Sequence, residues 1–148
     1  MHRVAFPAYF VCKREEPMDW YHVPLFISYI SAGFPSPADD YKEVELDVNE
    51  LVIRHPEATF YVRVSGDSME QAAICDGDVL VVDRAVEARH NDVIIALVNG
   101  EFTIKRLHTH GDALYLVPEN PLYQPLEITE AMDFRVWGVV TYCIHRVR

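Results

Sequence analysis

The chain has 148 residues, of which 50% are apolar and 24% are charged, so it can bury a core and is not expected to be disordered throughout. Its 13 basic and 23 acidic residues give a net charge of −10, which argues against a protein whose main task is to grip nucleic-acid phosphates. No apolar run reaches the roughly 18 residues that a membrane-spanning helix needs, so no membrane association is expected.

Residues 1–32 are predicted to form an extended N-terminal arm without a core of its own. Three prolines would interrupt any long helix there. Three basic and three acidic side chains cancel in this segment, so residues 33–148 carry the whole charge of −10. The apolar run at 4–12 is long enough for the core of a signal peptide, but Pro7 interrupts it and no small-residue cleavage site follows. Export is therefore disfavoured.

The cysteines also favour a reducing compartment. There are three of them, Cys12, Cys75 and Cys143, and they are widely spaced. An odd number without a CxxC pair gives neither a disulfide framework nor a zinc motif. We therefore expect a cytoplasmic protein whose cysteines are small buried apolar side chains.

A thin, accessible stretch follows the arm. Ser-Ala-Gly-Phe-Pro-Ser-Pro at 31–37 contains two prolines that hold it extended, and its small residues suit a linker or a protease-sensitive site. We divide the chain into an arm at 1–32, a linker at 33–40 and a folded domain at 41–148.

The domain is predicted to be mainly β, with one short helix. The sequence Asp-Val-Asn-Glu at 47–50 fits a capping box, and Pro56 marks the stop of that helix. Runs rich in Val, Ile, Tyr and Phe predict strands at 59–64, 78–83, 92–98, 101–107, 113–117 and 134–144. Asn99-Gly100 between two of them predicts a type I′ hairpin. The expected architecture is antiparallel sheet.

Ser68 and Lys105 are the candidates for nucleophile and base. Ser68 follows a predicted strand, and Gly66 permits a tight turn that could aim its hydroxyl and nearby amides at one point. Lys105 shares a strand face with Thr103 and Leu107, so it could be drawn inside and lose its charge. The residues alone leave the alternatives open, since such serines usually bond the backbone and strand lysines usually face solvent.

Metal sites are not supported by the sequence spacing. His108 and His110 share a strand face, as do Cys143 and His145, but neither pair has nearby partners at ligand spacing. The aspartates Asp76, Asp78 and Asp83 do not form an EF-hand pattern. We therefore predict no metal and no cofactor.

Four blocks together carry a resemblance. They are Ser-Ala-Gly-Phe-Pro-Ser-Pro at 31–37, Ser-Gly-Asp-Ser-Met at 65–69, Asp-Gly-Asp-Val-Leu-Val-Val-Asp at 76–83 and Gly-Glu-Phe-Thr-Ile-Lys-Arg-Leu at 100–107. They resemble the UmuD-like branch of the LexA/UmuD family, the Ser-Lys self-cleaving peptidases of the bacterial SOS response. Val-Trp-Gly-Val-Val-Thr at 136–141 is similar to the final strand of that family. The resemblance runs from about residue 24 to residue 147.

The resemblance implies a fold and a set of site residues. The fold would be of the LexA/signal-peptidase type, with curled antiparallel sheets. Ser68 would be the nucleophile and Lys105 its general base. The backbone amides of Asp67 and Ser68 would form the oxyanion hole, and the bond cut would be Ala32–Gly33 of the chain itself. Residues 1–23 match nothing in the family.

The resemblance also implies partners. The RecA filament on single-stranded DNA would stimulate cleavage. The processed chain would be a homodimer that serves as accessory subunit of an error-prone, UmuC-type translesion polymerase, with other replication proteins as further partners. No direct sequence-specific DNA binding is expected.

Three alternatives remain beside this interpretation. A LexA-type repressor needs a DNA-reading module before the cut, where only 32 proline-interrupted residues stand. A signal peptidase shares the serine block and the dyad but needs a membrane anchor. In a non-cleaving module that binds a translesion polymerase, Ser68 and Lys105 would be present but would not catalyse cleavage.

Overall fold

The computed structural model describes residues 23–26, 29–35 and 43–148. Most of the predicted arm, most of the linker and Cys12 lie outside these residues. The described chain forms two compact units, one made of residues 53–148 and the other of the described residues up to position 52.

The smaller unit contains a two-stranded sheet and the short helix. Strand β1 (Val23–Phe26) pairs antiparallel with β2 (Glu43–Leu46), and helix α1 (Val48–Val52) follows. The Asp47 carboxylate accepts a hydrogen bond of 2.8 Å from the Asn49 amide. The sequence predicts an N-cap bond from Asp47. Here the donor is the amide of the second helical residue, whereas in a full capping box it is the amide of the third. Neither short strand was predicted.

The larger unit is built on one antiparallel sheet. Its seven strands are β3 (Thr59–Arg63), β4 (Val79–Asp83), β5 (Val93–Val98), β6 (Glu101–His110), β7 (Ala113–Val117), β8 (Leu126–Ile128) and β9 (Phe134–Ile144). Their order across the sheet is β3-β4-β9-β5-β6-β7-β8, and every neighbouring pair is antiparallel. The sheet is open, with β3 and β8 at its edges. The predicted mainly β class is confirmed.

The two faces of the sheet bury different clusters. Adjacent residues of a strand point to opposite faces, so Ile94 and Ile95 of β5 enter different cores although both are fully buried. Ile95 packs with Leu80 and Ile104, while Ile94 packs with Leu116. Burial on both faces explains why β4 and β5 read as nearly continuous apolar runs.

The turn between β5 and β6 has the predicted conformation. Asn99 and Gly100 have φ values of 48° and 81°, the two left-handed residues of a type I′ turn. The turn sets the register in which Val98 faces Glu101 and Ile94 faces Lys105. A local sequence signal thus fixes where Lys105 lies on the sheet.

Six predicted strands are confirmed within a few residues. The main differences are β6, which continues to His110, and β8, which was missed. Strand β8 has only three residues and directly follows Pro125, so its sequence carries little strand signal. Among the described residues, no helix has the length and apolar character needed to cross a membrane.

Candidate active site

Ser68 lies in a loop that the start of β4 holds in place. The Val64 amide donates to the carbonyl oxygen of Asp78 at 2.8 Å, and the Gly77 amide donates to the carbonyl oxygen of Val64 at 2.9 Å. Gly66 then turns the chain with a φ of 102°, a value that residues with a side chain rarely adopt. Its amide donates to the Asp76 carboxylate at 2.8 Å. The Asp-Gly-Asp block therefore shapes the loop that carries Ser68.

Lys105 meets Ser68 in the larger unit. Lys105 Nζ lies 3.1 Å from Ser68 Oγ, 3.0 Å from Thr103 Oγ1 and 2.9 Å from the carbonyl oxygen of Ile104. Thr103 reaches the amine because it precedes Lys105 by two positions on the same face of β6. The amine is thus held between two hydroxyls and a carbonyl, with one hydroxyl belonging to the candidate nucleophile.

The surroundings of Lys105 favour its neutral form. Burial lowers the pKa of Lys105 below its ordinary value of 10.5. Within the described part of the chain, no carboxylate lies at ion-pairing distance from the amine to oppose this effect. A neutral amine at 3.1 Å from a hydroxyl can accept its proton.

A second loop supports the nucleophile from the other side. The Glu119 amide donates to the carbonyl oxygen of Ser68 at 2.8 Å, and Asn120 Nδ2 donates to the carbonyl oxygen of Asp67 at 2.9 Å. The Tyr123 hydroxyl donates to Asp67 Oδ1 at 2.5 Å, and this bond is the main reason that the pKa of Tyr123 is raised. The carbonyl oxygens of Asp67 and Ser68 therefore both accept hydrogen bonds from this second loop.

The backbone amides of Asp67 and Ser68 differ from the carbonyl groups in their hydrogen bonding. Neither amide donates a hydrogen bond to any acceptor among the described residues. Backbone N–H groups that are free beside a nucleophile can hold a developing negative charge on a substrate oxygen. They remain the candidates for the oxyanion hole.

A cleft of about 760 Å³ opens beside the Ser68 hydroxyl. Its lining combines apolar side chains with the Ser68–Lys105 pair, and includes Val98, Phe102, Leu116, Leu126, Met69 and Gln124. A mostly apolar cleft with a few polar groups at one point is the usual form of a substrate site.

The predicted cleavage site lies in the smaller unit. Ala32 and Gly33 belong to the described stretch 29–35, whose residues are all exposed. The Gly33 amide donates a hydrogen bond of 3.3 Å to Ser31 Oγ. The bond that the resemblance marks for cutting is therefore open to solvent in its own unit.

Of the residues gathered at this candidate site, the sequence singles out Ser68 and Lys105, and the structure places their side chains in contact. It adds Thr103 beside the amine, and Glu119 and Asn120 behind the loop. Strand alternation predicts that Thr103 and Lys105 share a face of β6, but it does not predict the contact between the hydroxyl and the amine. Nothing local marks the loop residues, because their partners lie far away in sequence.

The fold also supplies neighbours for one of the pairs considered as a metal site. Cys143 and His145 lack ligand-spaced partners in the sequence, but Cys75 and Asp78 lie beside them in the structure. His108 instead stacks on His90, with ring centroids 5.1 Å apart.

Comparison with known proteins adds family and relatives. Residues 24–141 match the model of the family described as Peptidase S24-like. The protein ImpA of Salmonella typhimurium is 46% identical over 138 residues, which cover 88% of each chain. The protein MucA of Escherichia coli is 45% identical over 125 residues, covering 82% of this chain and 84% of MucA. The protein SamA of Salmonella typhimurium strain LT2 is 45% identical over 138 residues, covering 93% of this chain and 95% of SamA.

Proposed function

The chain belongs to the peptidase S24-like family of serine peptidases, and from this premise we propose that Ser68 and Lys105 cut the chain's own Ala32–Gly33 bond. The family and the UmuD-like relatives ImpA, MucA and SamA give the general role: the protein is a self-cleaving serine peptidase of SOS mutagenesis. The catalytic roles of Ser68 and Lys105, the Ala32–Gly33 bond as the cleavage site and the partners are our proposal.

The contact between Ser68 Oγ and Lys105 Nζ at 3.1 Å carries the proposal. A serine nucleophile needs a base within hydrogen-bond reach, and a lysine can act as that base only when it is neutral. Burial of Lys105 lowers its pKa, and two further acceptors orient the amine. The pair therefore has both the geometry and the electrostatics that a dyad requires.

The reaction follows from these positions. Lys105 Nζ takes the proton from Ser68 Oγ as the oxygen bonds to the Ala32 carbonyl carbon. The amides of Asp67 and Ser68 hold the resulting oxyanion. Lys105 returns the proton to the Gly33 nitrogen, the carbon–nitrogen bond breaks, and an ester joins Ala32 to Ser68. A water molecule, deprotonated by Lys105, hydrolyses the ester and frees the serine.

The substrate segment suits this chemistry. Ala32 has a small side chain and Gly33 has none, so a nucleophile can approach the bond between them closely. A substrate that belongs to the same chain has a high effective concentration, so it needs no binding affinity of its own. Docking of the segment then limits the rate, and a partner that favours docking acts as a switch.

The partners follow the resemblance and belong to this proposal. The RecA filament on single-stranded DNA would favour docking. The processed residues 33–148, with their charge of −10, would form a homodimer and bind a UmuC-type polymerase. Exposed apolar side chains on β3 and β9, among them Phe60 and Ile144, support protein contacts by the larger unit. The free thiols of Cys75 and Cys143 fit the reducing cytoplasm, where we place the protein.

The test is cleavage in the presence and absence of RecA. Purified protein is incubated with RecA, single-stranded DNA and nucleotide, and the intact chain is followed with time. Wild type should be cut faster with the filament than without it, while Ser68→Ala and Lys105→Ala stay intact. If wild type also stays intact but still binds the polymerase, the protein is the non-cleaving module instead.

A further inference from the structure

A buried carboxylate with three polar neighbours lies at the start of β4, behind the turn at 75–78. The Asp78 side chain is 4% exposed. Its Oδ2 accepts hydrogen bonds from the Cys75 amide at 2.8 Å and the Cys143 thiol at 3.4 Å, and its Oδ1 lies 2.7 Å from His145 Nδ1. The proposed cleavage reaction uses none of these side chains.

Burial and hydrogen bonding shift the pKa values of two side chains in this cluster. Burial opposes ionisation of Asp78, but the hydrogen bonds from Cys75, His145 and Cys143 outweigh it and lower the pKa of the carboxyl. Burial and the neighbouring Asp78 raise the pKa of the Cys143 thiol to about 11. The Asp78 carboxylate thus lies beside two cysteine sulfurs and a ring nitrogen, where a bound cation would take the place of the thiol protons.

The donor atoms lie close enough for one metal ion. A thiol sulfur of Cys75, a carboxylate oxygen of Asp78 and a ring nitrogen of His145 all lie within 4.8 Å of one another. Cys143 adds a second sulfur next to Asp78. Ligands bound to one tetrahedral zinc lie about 3.3–3.8 Å apart, as metal–ligand bonds of about 2.0–2.3 Å imply. Small side-chain rotations would bring the donors of Cys75, Asp78 and His145 to this spacing, and Cys143 would have to turn toward them as the fourth ligand.

We propose that Cys75, Asp78, Cys143 and His145 form a binding site for a thiophilic divalent cation, with Zn²⁺ as the ion that fits best. Sulfur and imidazole ligands in a set of four suit tetrahedral zinc. Calcium and magnesium are disfavoured, because they need six or more oxygen ligands and only Asp78 offers oxygens here.

Binding has definite chemical consequences. Both thiols lose their protons to solvent, so two thiolates and a carboxylate neutralise the ion and leave a net charge of −1. The Cys75 amide keeps its bond to Asp78 and orients the ligand from outside. The His145 side chain is 53% exposed, which gives the ion a path from solvent. The ion would join the turn at 75–78 to the segment that follows β9.

The test measures zinc and cobalt binding to the full chain. Equilibrium dialysis should give one Zn²⁺ per chain for wild type. Cys75→Ser and His145→Ala should each weaken binding more than about tenfold, since even residues that only support ligands have effects of this size. Cys12→Ser and His110→Ala, which change the same residue types elsewhere, should bind like wild type. Co²⁺ should give a sulfur-to-cobalt charge-transfer absorption that is weaker in Cys75→Ser and absent when Cys75→Ser and Cys143→Ser are combined.

A second measurement on wild type avoids dependence on the folding of variants. Zn²⁺ should slow alkylation of Cys75 and Cys143 by iodoacetamide, measured by peptide mass spectrometry, and leave Cys12 unaffected. The proposal is overturned if wild type takes up no Zn²⁺, if both cluster variants bind like wild type, or if the two thiols react equally fast with and without the ion. None of these results bears on cleavage by Ser68.

Discussion

The Glu119 amide donates a hydrogen bond of 2.8 Å to the carbonyl oxygen of Ser68, and its neighbour Asn120 binds the carbonyl oxygen of Asp67. The loop after β7 therefore holds the candidate nucleophile by its backbone. The amides of Asp67 and Ser68 donate to no acceptor among the described residues and so are available for a substrate oxygen. The proposed reaction depends on this support as well as on Lys105.

Removing the Asn120 amide should slow self-cleavage. Asn120→Asp keeps the shape of the side chain but replaces the donor with a carboxylate facing the carbonyl oxygen of Asp67. Asn120 is 8% exposed, so the lost bond should also lower the free energy of unfolding by about 1–3 kcal/mol. Cleavage rates and urea unfolding measure the two effects. A variant that is destabilised but cuts at the wild-type rate would contradict a positioning role.

Thr103 should matter for the rate through Lys105. Thr103→Val removes the hydroxyl that lies 3.0 Å from the amine and keeps the branched shape. We expect self-cleavage to fall about tenfold, which corresponds to about 1.4 kcal/mol, because one orienting bond is lost. Thr103→Ser keeps the hydroxyl and should retain most of the rate. Equal rates in the valine and serine variants would show that the hydroxyl plays no part.

The burial of Lys105 should appear in stability as well as in activity. Its lowered pKa means that the unfolded chain binds more protons than the folded chain between that pKa and 10.5. Stability of the wild type therefore rises with pH in this window, and the burial cost is fully present below it. Lys105→Met should be more stable than wild type near pH 7, and the difference should shrink as the pH approaches 10.5. A difference that is independent of pH would contradict this account.

The buried carboxylate of Asp83 also makes stability rise with pH, but at the acid end and because its charged form is stabilised in the fold. Burial opposes its ionisation, but the hydrogen bonds from His55 and from the Ala85 amide outweigh it and hold its pKa below 3.8. The folded chain then binds fewer protons than the unfolded one, so this stabilisation is present above 3.8 and is lost as the pH falls through the lowered pKa. Asp83→Asn should flatten the acid limb of the stability curve, measured by urea unfolding at several pH values. An unchanged acid limb would rule out this contribution.

Gly138 in β9 should tolerate no side chain. A Cβ atom at this position would lie 2.6 Å from Val82 Cγ1, and Val82 is fully buried. Gly138→Ala should lower the free energy of unfolding by about 1–3 kcal/mol, as overpacked cores do. Adding Val82→Ala removes the clashing methyl group, so the double variant should lose less than the sum of the two single variants. Strict additivity would contradict a direct clash.

The sequence predicts the parts of this structure that depend on near neighbours. Asn99-Gly100 specifies its hairpin because two left-handed residues are required there. Alternation along β6 places Thr103 with Lys105 on one face. The functional assignment of Ser68 needed the family resemblance, since a serine in such a turn has a common structural use.

The parts that were missed depend on contacts between distant segments. The bond from Glu119 to Ser68 joins a loop after β7 to a loop after β3, and no local pattern marks either partner. The same holds for Asp78, which directly precedes β4, and His145, which directly follows β9, because these strands become neighbours only in the sheet. Spacing along the chain could not show that the Cys143–His145 pair has further ligands beside it.

The most direct test of the dyad is the intact mass of the products. Wild type is incubated from pH 7 to about pH 10, beside Ser68→Ala and Lys105→Ala, and sampled with time. If Lys105 is the base, rising pH deprotonates it and cutting accelerates until the fold fails. The account predicts equal amounts of fragments 1–32 and 33–148 from wild type and none from either variant. The same fragments from Ser68→Ala, or a cut at another bond, would contradict it.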